Sequence, residues 1–460
     1  MDIKLSELIR ETGGKILGEA KDKFPINRIC TDTRLVEKND VFFAFVGNRF
    51  NGHDFISEAM EKGAKHFVVS ETKKITPELA RAANFISVED TVRAYGDLAR
   101  FYRQKFKIPA VAITGSMGKT TVKELAAHLL STKFKVLKNR GTENNLIGVP
   151  KTLFQLEPSH EVIVLEMGTN QPGEIARLTD IVAPQIGILT EISASHLEGL
   201  KDIEGVTKEK MGIVRGLERG GLLIVNNDVP ALKKVQSGVH KIRRVGLLKE
   251  GADAYAEQIW WHEDGLSFSV AGRRFGTQFA GRHNVVNSLL AIDCASALGV
   301  ENSALQKSIS AFKPVSGRLC LKKMDGITFL DDSYNSNPGS FRAAMETLKS
   351  YKTPGKKGVV CGDMLELGTQ SETYHRELGA FAASLLFDFI IACGPQSKFL
   401  VEEALKAGYH QSKIHHVKDS AEAAKCCQKL ASPGDLVLVK GSRGMHMEKI
   451  FECFISCSTP

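Results

Sequence analysis

The chain has 460 residues, 43% of them apolar and 25% charged, which is the balance of an ordinary globular protein, and its length predicts about three domains. Its net charge of +8 is spread along the chain without a Lys/Arg block, which suits an anionic substrate and argues against a nucleic-acid partner. Nine cysteines without a C-x-x-C pair fit reduced thiols in a cytoplasmic protein; the first residues, Met1-Asp-Ile-Lys-Leu-Ser-Glu-Leu8, lack the apolar core of a signal peptide, and no apolar run is long enough to span a bilayer.

Residues 1 to about 107 hold short apolar runs at 40–46 and 66–70 between helical stretches, and are read as a small α/β domain. At 108–113 stands Ile-Pro-Ala-Val-Ala-Ile, a buried strand. It runs into Ala112-Ile-Thr-Gly115-Ser116-Met117-Gly118-Lys119-Thr120-Thr121, the spacing of a phosphate-binding P-loop, with Ala112 where the first glycine often stands. A helix is expected at 121–130. That order has a physical purpose. The loop turns backbone N–H groups toward phosphates and the helix N-terminus adds its positive dipole end. Gly115 and Gly118 allow close approach, Lys119 reaches the β/γ-phosphates, and the Thr120 hydroxyl suits Mg²⁺. Strands at 161–165, 186–190 and 221–225 alternate with helices and predict a mainly parallel sheet for a central domain over 108–313.

Residues 254–281 read differently, as antiparallel strands around Glu263-Asp264-Gly265. A helix is expected at 285–298, closed by Gly299, and Lys313-Pro-Val-Ser-Gly-Arg318 reads as a linker. The last part, 314–460, repeats the alternation with strands at 327–330, 357–361, 389–393, 413–417 and 436–440. It is Rossmann-like but lacks G-x-G-x-x-G, so it need not hold a dinucleotide.

Several residues at strand ends invite chemistry. Glu166 ends a buried strand beside the P-loop, where a carboxylate suits Mg²⁺. His196 follows the next strand, on the ligand-binding edge of the sheet. Asn144-Asn145 form an Asx turn or bind a phosphate or carboxylate, and the sequence leaves both open. Asn284 opens a helix and could be a plain N-cap, which would leave Asn287 another task. Asp331-Asp332-Ser-Tyr334-Asn335-Ser-Asn337-Pro338, two acids, an aromatic and two amides at one strand end, suits nucleotide and substrate contact.

With these pieces in order, the chain resembles the Mur ligase family, ATP-dependent amide-forming enzymes of bacterial peptidoglycan assembly. The likeness runs over nearly the whole chain. In the first domain it rests on Thr31-Asp-Thr33-Arg34 and on Gly47-Asn-Arg49-Phe-Asn51-Gly52-His53. The central domain adds the P-loop, Asn144-Asn145 before Gly148-Val-Pro150, Glu166-Met-Gly168, His196-Leu-Glu-Gly199 and Gly281-Arg-His-Asn284 with Asn287. Gly317-Arg318, Asp332 to Pro338, Gly362-Asp-Met-Leu-Glu-Leu-Gly368 and Lys440-Gly-Ser-Arg443 complete it; the stretches 332–338 and 362–368 point to the member that adds D-alanyl-D-alanine to a UDP-N-acetylmuramoyl-tripeptide.

The resemblance implies roles. Residues Gly115 to Thr121, Asn284, Asn287, Arg318 and Asp332 contact ATP. Thr120 and Glu166 hold one Mg²⁺, and His196 with Lys210 a second; Lys119, His196 and Lys210 are the catalytic set. Lys210 matches a lysine that carries a carbamate in this family, although its setting, Lys208-Glu-Lys210, also reads as a charged helix face, and Gly212 stands where the family usually has Glu. Thr33, Arg34, Arg49, Asn51, Gly52 and His53 belong to the UDP end of the substrate, and Asn144, Asn145, Tyr334, Asn335 and Asn337 also contact substrate. A monomeric cytoplasmic enzyme is expected, working through an acyl phosphate in domains that close to exclude water. Within the family, the ligase that adds a diamino acid to the UDP-dipeptide is the alternative; it tends to carry Asn-Pro-Arg where this chain has Asn337-Pro338-Gly339. A folylpolyglutamate synthetase is disfavoured by the domain at 1–107, and an inactive binding protein by the intact Lys119, Thr120, Glu166 and His196.

Overall fold

In the computed structural model, which describes all residues except 48, 237, 263, 264 and 456–460, the described residues form four sheets. The first contains β1 (Lys15–Leu17), β2 (Ile29–Cys30), β3 (Val41–Phe43), β4 (His66–Val69) and β5 (Asn84–Ser87) in the order β1-β5-β4-β3-β2, parallel except for β1 against β5. Alternate residues fill two different cores. Val41, Phe43, Val68 and Ile86 face one, and Phe42, Phe67 and Phe85 the other. Both faces are therefore covered, as a parallel sheet requires. The strand expected at 40–46 stops at Phe43, because the chain then turns into a tight bend bridged by Val46 and Asn51.

The helix Thr91–Gln104, capped by Asp90 through Val92 N (2.8 Å) and Arg93 N (3.1 Å), carries the first domain onto the second. Its Tyr95 packs 5.1 Å from Phe154, its Tyr102 Oη donates to Leu156 O at 2.9 Å, and Asp97 pairs with Arg177 at 2.8 Å. This seam is largely apolar and continuous with the core.

The central sheet contains β6 (Ala110–Thr114), β7 (Val136–Lys138), β8 (Val162–Glu166), β9 (Ile186–Leu189), β10 (Leu222–Asn226), β11 (Lys241–Gly246) and β12 (Ala254–Tyr255). Its order is β12-β11-β10-β9-β6-β8-β7, and every pairing is parallel. All of β6 is buried. Because β8 and β7 lie on one side of β6 and β9 to β12 on the other, the chain changes direction at the carboxyl end of β6. A crevice opens at such a switch point. A small antiparallel sheet follows, from β13 (Gln258–His262), β14 (Gly265–Val270) and β15 (Arg273–Thr277). Its third strand was not expected from the sequence; residues 263 and 264 of the expected turn lie outside the described residues.

The last sheet holds β16 (Cys320–Met324), β17 (Ile327–Asp332), β18 (Lys357–Gly362), β19 (Phe389–Cys393), β20 (Ile414–Val417) and β21 (Leu436–Lys440) in the order β16-β17-β21-β18-β19-β20. Only β16 is antiparallel to its neighbour. The sequence Cys-Leu-Lys-Lys-Met hides β16 because it is an edge strand with charges on it. Among the described residues, no helix is long and apolar enough to cross a membrane and the cysteines are free thiols.

Candidate active site

The P-loop turns between β6 and the helix Lys119–Leu130. Its glycines are forced. Gly115 has φ 152°, and a Cβ there would lie 2.0 Å from Thr190 Oγ1; Gly118 caps the helix at φ 84°, and a Cβ would lie 2.5 Å from Asn287 Oδ1. Asn287 thus packs against the loop, and its Nδ2 donates to Asn284 Oδ1 at 2.8 Å. The plain N-cap that Asn284 could have been is ruled out: the helix runs Arg282–Ala297, Gly281 is the cap, and Asn284 lies inside it, donating to Ala280 O at 2.7 Å. Lys119 Nζ donates to Gly115 O at 2.8 Å and Ser116 O at 3.4 Å. Desolvation pulls the Lys119 ammonium below its ordinary range, against the opposing charge of Glu166.

The strand ends beside the loop bring acids and amides in. β8 pairs with β6 in the register Ile113↔Glu166, which sets the Glu166 carboxylate at the mouth of the crevice. Asn144 Nδ2 donates to its Oε1 at 2.8 Å, while Asn139 spans its backbone, donating to Glu166 O at 3.1 Å and accepting from Glu166 N at 3.0 Å. Asn145 is an Asx turn: its Oδ1 accepts from Ile147 N at 3.1 Å and Gly148 N at 2.9 Å. After β9, Ser116 Oγ meets Ser193 O (2.8 Å), Ser193 N (3.1 Å) and Ser195 Oγ (3.0 Å), so the segment that leads to His196 is tied to the P-loop.

The C-terminal sheet closes the other side. Arg318 donates to Thr120 Oγ1 at 3.2 Å and stacks 4.1 Å from the Tyr334 ring, and Tyr334 Oη donates to Thr142 Oγ1 at 3.1 Å. Asp332 and Lys440 are register partners on β17 and β21, and their side chains pair at 2.5 Å; Lys440 also donates to Asn335 O at 3.0 Å. Burial raises the Asp332 carboxyl and lowers the Lys440 ammonium, each opposed by the other. Burial also pushes His283 down to about 4, so its imidazole is neutral. Asn337 Oδ1 caps the helix Pro338–Ser350 through Ser340 N at 2.8 Å.

These elements enclose a cleft of about 400 Å³. Ser116, Met117, Gly118, Lys119, Thr120 and Thr121 line it from the P-loop, and Asn144, Asn145, Glu166, His196, Asn284 and Asn287 from the rest of the central domain. Arg318, Asp332, Tyr334, Asn335 and Asn337 line it from beyond the linker. The expected first-domain residues stand apart from this lining. Arg34 is exposed and paired with Asp32 at 2.6 Å, Thr33 O accepts from Lys62 at 3.0 Å, and Arg49 is exposed. Buried His53 spends both ring nitrogens locally, on Asn51 Oδ1 (2.8 Å) and on Ser70 N (3.0 Å) and Glu71 N (3.1 Å). A side chain at Gly52 would strike the backbone of Phe45 at 2.7 Å.

Lys210 lies behind the cleft wall on the helix Ile203–Met211. The reading of Lys208-Glu-Lys210 as a solvated face is corrected: Lys208 is exposed, while Glu209 and Lys210 are buried. Glu209 caps the neighbouring helix Glu174–Val182 through Gly173 N (2.6 Å) and Ile175 N (2.8 Å). Gly212 packs on that helix, where a Cβ would lie 3.0 Å from Ala176 N. Lys210 Nζ and Glu166 Oε2 are both buried without a hydrogen-bond partner. Desolvation, reinforced by the Lys119 charge, holds the Lys210 amine well below its ordinary range.

No three His, Cys, Asp or Glu side chains among the described residues converge on one point. The donors are instead a hydroxyl, one carboxylate with a free oxygen, one imidazole and a buried amine. That set fits Mg²⁺, which keeps waters and takes phosphate oxygens rather than a full protein cage, provided the amine becomes an oxygen donor. Sequence reading missed Thr142 and Ser193 and gave no site role to Glu366, Lys440 or Arg443, although these three stand in stretches that carry the resemblance; all five lie beside the cleft or line it. Lys440 had one signal, its place at the end of an apolar strand.

Fold and site together define a P-loop nucleotide-binding enzyme whose cleft takes its second wall from a C-terminal domain. Three family profiles match in chain order: Mur ligase family, catalytic domain at 25–103; Mur ligase middle domain at 113–295; and Mur ligase, glutamate ligase domain at 317–443. The chain is 33% identical to UDP-N-acetylmuramoyl-tripeptide–D-alanyl-D-alanine ligase of Bacillus subtilis, over 98% of this chain and 97% of that protein. Its fold matches that of MurF from Acinetobacter baumannii at a TM-score of 0.88 and 30% identity, covering 98% of each chain. MurF ligase from Thermotoga maritima in complex with ADP matches at a TM-score of 0.83 and 28% identity, over 93% of this chain and 97% of that one. The chain belongs to the Mur ligase family.

Proposed function

We propose that this chain is an ATP-dependent ligase that joins D-alanyl-D-alanine to UDP-N-acetylmuramoyl-tripeptide in the cytoplasmic steps of peptidoglycan synthesis. The observation that carries this reading is the cleft in which a P-loop faces Arg318, Asp332 and Lys440 from another domain, in a chain alike from end to end to ligases of that name. The ADP-bound relative supports ATP as the nucleotide.

The chemistry follows from the charges. A substrate carboxylate oxygen attacks the γ-phosphorus, ADP leaves, and an acyl phosphate forms. The acceptor amine attacks the acyl carbon, and the tetrahedral intermediate expels phosphate and a proton to leave an amide. Neither step needs a protein nucleophile; both need positioning and neutralised charge. The P-loop N–H groups and Lys119 hold the phosphates, and Arg318 stands 3.2 Å from Thr120 Oγ1 to meet them from the opposite wall. Mg²⁺, held by Thr120 and Glu166 at one position and by His196 and a carbamylated Lys210 at another, would supply further neutralisation there. We assign nucleotide to 108–313 with help from Arg318 and Asp332, the acceptor to 314–460, and the UDP end of the substrate to 1–107.

The acceptor decides between this reading and the diamino acid ligase. Gly339 follows Asn337-Pro338 where the alternative tends to carry an arginine, and a Cβ there would lie 3.0 Å from Ser193 Oγ, so a side chain needs that serine to shift. Phosphate release is expected with UDP-tripeptide and D-alanyl-D-alanine, and not with free lysine or diaminopimelate. A faster reaction of UDP-dipeptide with a diamino acid would overturn the assignment. For the first domain, Arg34→Ala is expected to raise KM for the UDP substrate about fivefold or more through lost anion pairing, with KM for ATP unchanged. Equal effects on both would refute that placement.

A further inference from the structure

One polar contact between the central and C-terminal domains joins two residues in unusual backbone states. His196 has φ 52° and Glu366 φ 62°, a left-handed conformation that disfavours residues with a Cβ. They face each other across the domain boundary. Glu366 Oε2 lies 2.8 Å from His196 Nδ1, and Glu366 O accepts from Leu197 N at 3.1 Å. One residue of the C-terminal domain thus holds two successive residues of the central domain.

Both sides of the contact are anchored. Glu366 sits in the loop after β18, whose Asp363 accepts from Ser397 N and Ser397 Oγ, each at 2.7 Å. In the same loop Met364 N donates to His375 Nε2 at 3.1 Å and Leu365 N to Ser442 Oγ at 2.9 Å. The neighbouring Ser195 is bonded to Ser116 of the P-loop at 3.0 Å. A continuous path therefore runs from the P-loop through His196 and Glu366 to the core of the C-terminal sheet. The contact is set into an apolar boundary, since Ile192 and Leu197 of the central domain share one hydrophobic core with Met364 and Leu367 of the C-terminal domain.

We propose that Glu366 is a positioning residue that sets the His196 ring from across the domain boundary. A carboxylate on Nδ1 fixes the ring's orientation and assigns its proton to Nδ1, which leaves Nε2 as the donor atom for a divalent cation. The cation site is then complete only while Glu366 is in place. This inference rests on the assignment of His196 to the metal, and not on the identity of the acceptor.

The test is Mn²⁺ binding, followed by electron paramagnetic resonance on the full-length protein with a non-hydrolysable ATP analogue and no other substrate. Partners of metal-bound histidines change metal affinity by about 10–100-fold. Glu366→Ala is expected to weaken Mn²⁺ binding by about that factor with the analogue's own affinity kept, and Glu366→Gln, of the same shape, by about threefold or more. His196→Ala should lose at least as much, and the double variant Glu366→Ala/His196→Ala no more than His196→Ala alone. A purely structural contact would lower melting temperature and leave Mn²⁺ affinity within about twofold in both Glu366 variants, and that result overturns the proposal. So would a double variant whose loss is the sum of the singles. If Glu366→Ala does not fold, Glu366→Gln decides. The measurement uses neither acceptor nor UDP substrate, so a wrong ligase assignment fails in the acceptor panel and leaves this result standing.

Discussion

Lys119→Ala is expected to lower turnover about a hundredfold or more, which is about 2.7 kcal/mol of lost transition-state stabilisation. The ammonium stands at the start of the helix Lys119–Leu130, where loop N–H groups and the dipole already favour anions. Its bonds are to carbonyls of its own loop, Gly115 O and Ser116 O, and no carboxylate pairs with it directly. A lysine held by two carbonyl dipoles in a desolvated cleft gains most from a phosphate, and most when charge moves onto the transferring phosphoryl group. Removing the side chain breaks two local hydrogen bonds and takes a cation from the neighbourhood of Glu166 and Glu191, while relieving its repulsion of the buried Lys210 amine, so melting is measured beside activity as the control on folding. Phosphate release in single-turnover and steady-state assays, with melting as the control, checks this. Near-normal turnover in a folded variant would refute the role.

What could be read from the sequence was local in the chain. Strand, glycine-rich turn, Lys-Thr and helix are consecutive, and the physics of the phosphate cradle needs them consecutive, so the P-loop was legible. Glu166 and His196 were legible for a related reason, since Glu166 ends a buried parallel strand, His196 follows the end of another, and such ends gather at one edge of the sheet. The residues that were missed depend on strand order. Lys440 becomes a partner of Asp332 only because β21, last in the chain, inserts between β17 and β18. Glu366 reaches His196 only when two domains meet. Nothing local marks either contact. At Lys208-Glu-Lys210 the charge run also allowed a solvated face, and the helix turns Glu209 and Lys210 inward. β16 was missed because an edge strand carries lysines that break the apolar pattern.

Lys210→Ala and Lys210→Met should both be nearly inactive, about a hundredfold down or more, but for a reason that can be separated from packing. The amine is fully buried, has no hydrogen-bond partner, and lies close enough to Lys119 to feel its charge. An ammonium there is costly, and burial and like charge both favour the neutral amine. A neutral amine is the form that attacks CO₂; the product carbamate is anionic, having released a proton, and offers oxygens to a hard cation. The unpartnered Glu166 Oε2 faces the same need. Lys210→Met keeps an unbranched side chain of similar volume, so it should fold and melt like the wild type while staying inactive. Lys210→Ala leaves room, and millimolar acetate should restore part of its activity by supplying a carboxylate where the carbamate stood. In the wild type, ¹³CO₂ should give a carbamate carbon resonance that both variants lack. Wild-type turnover by folded Lys210→Met would sink the carbamate, because a side chain needed only to fill space is replaced by one that fills it equally well.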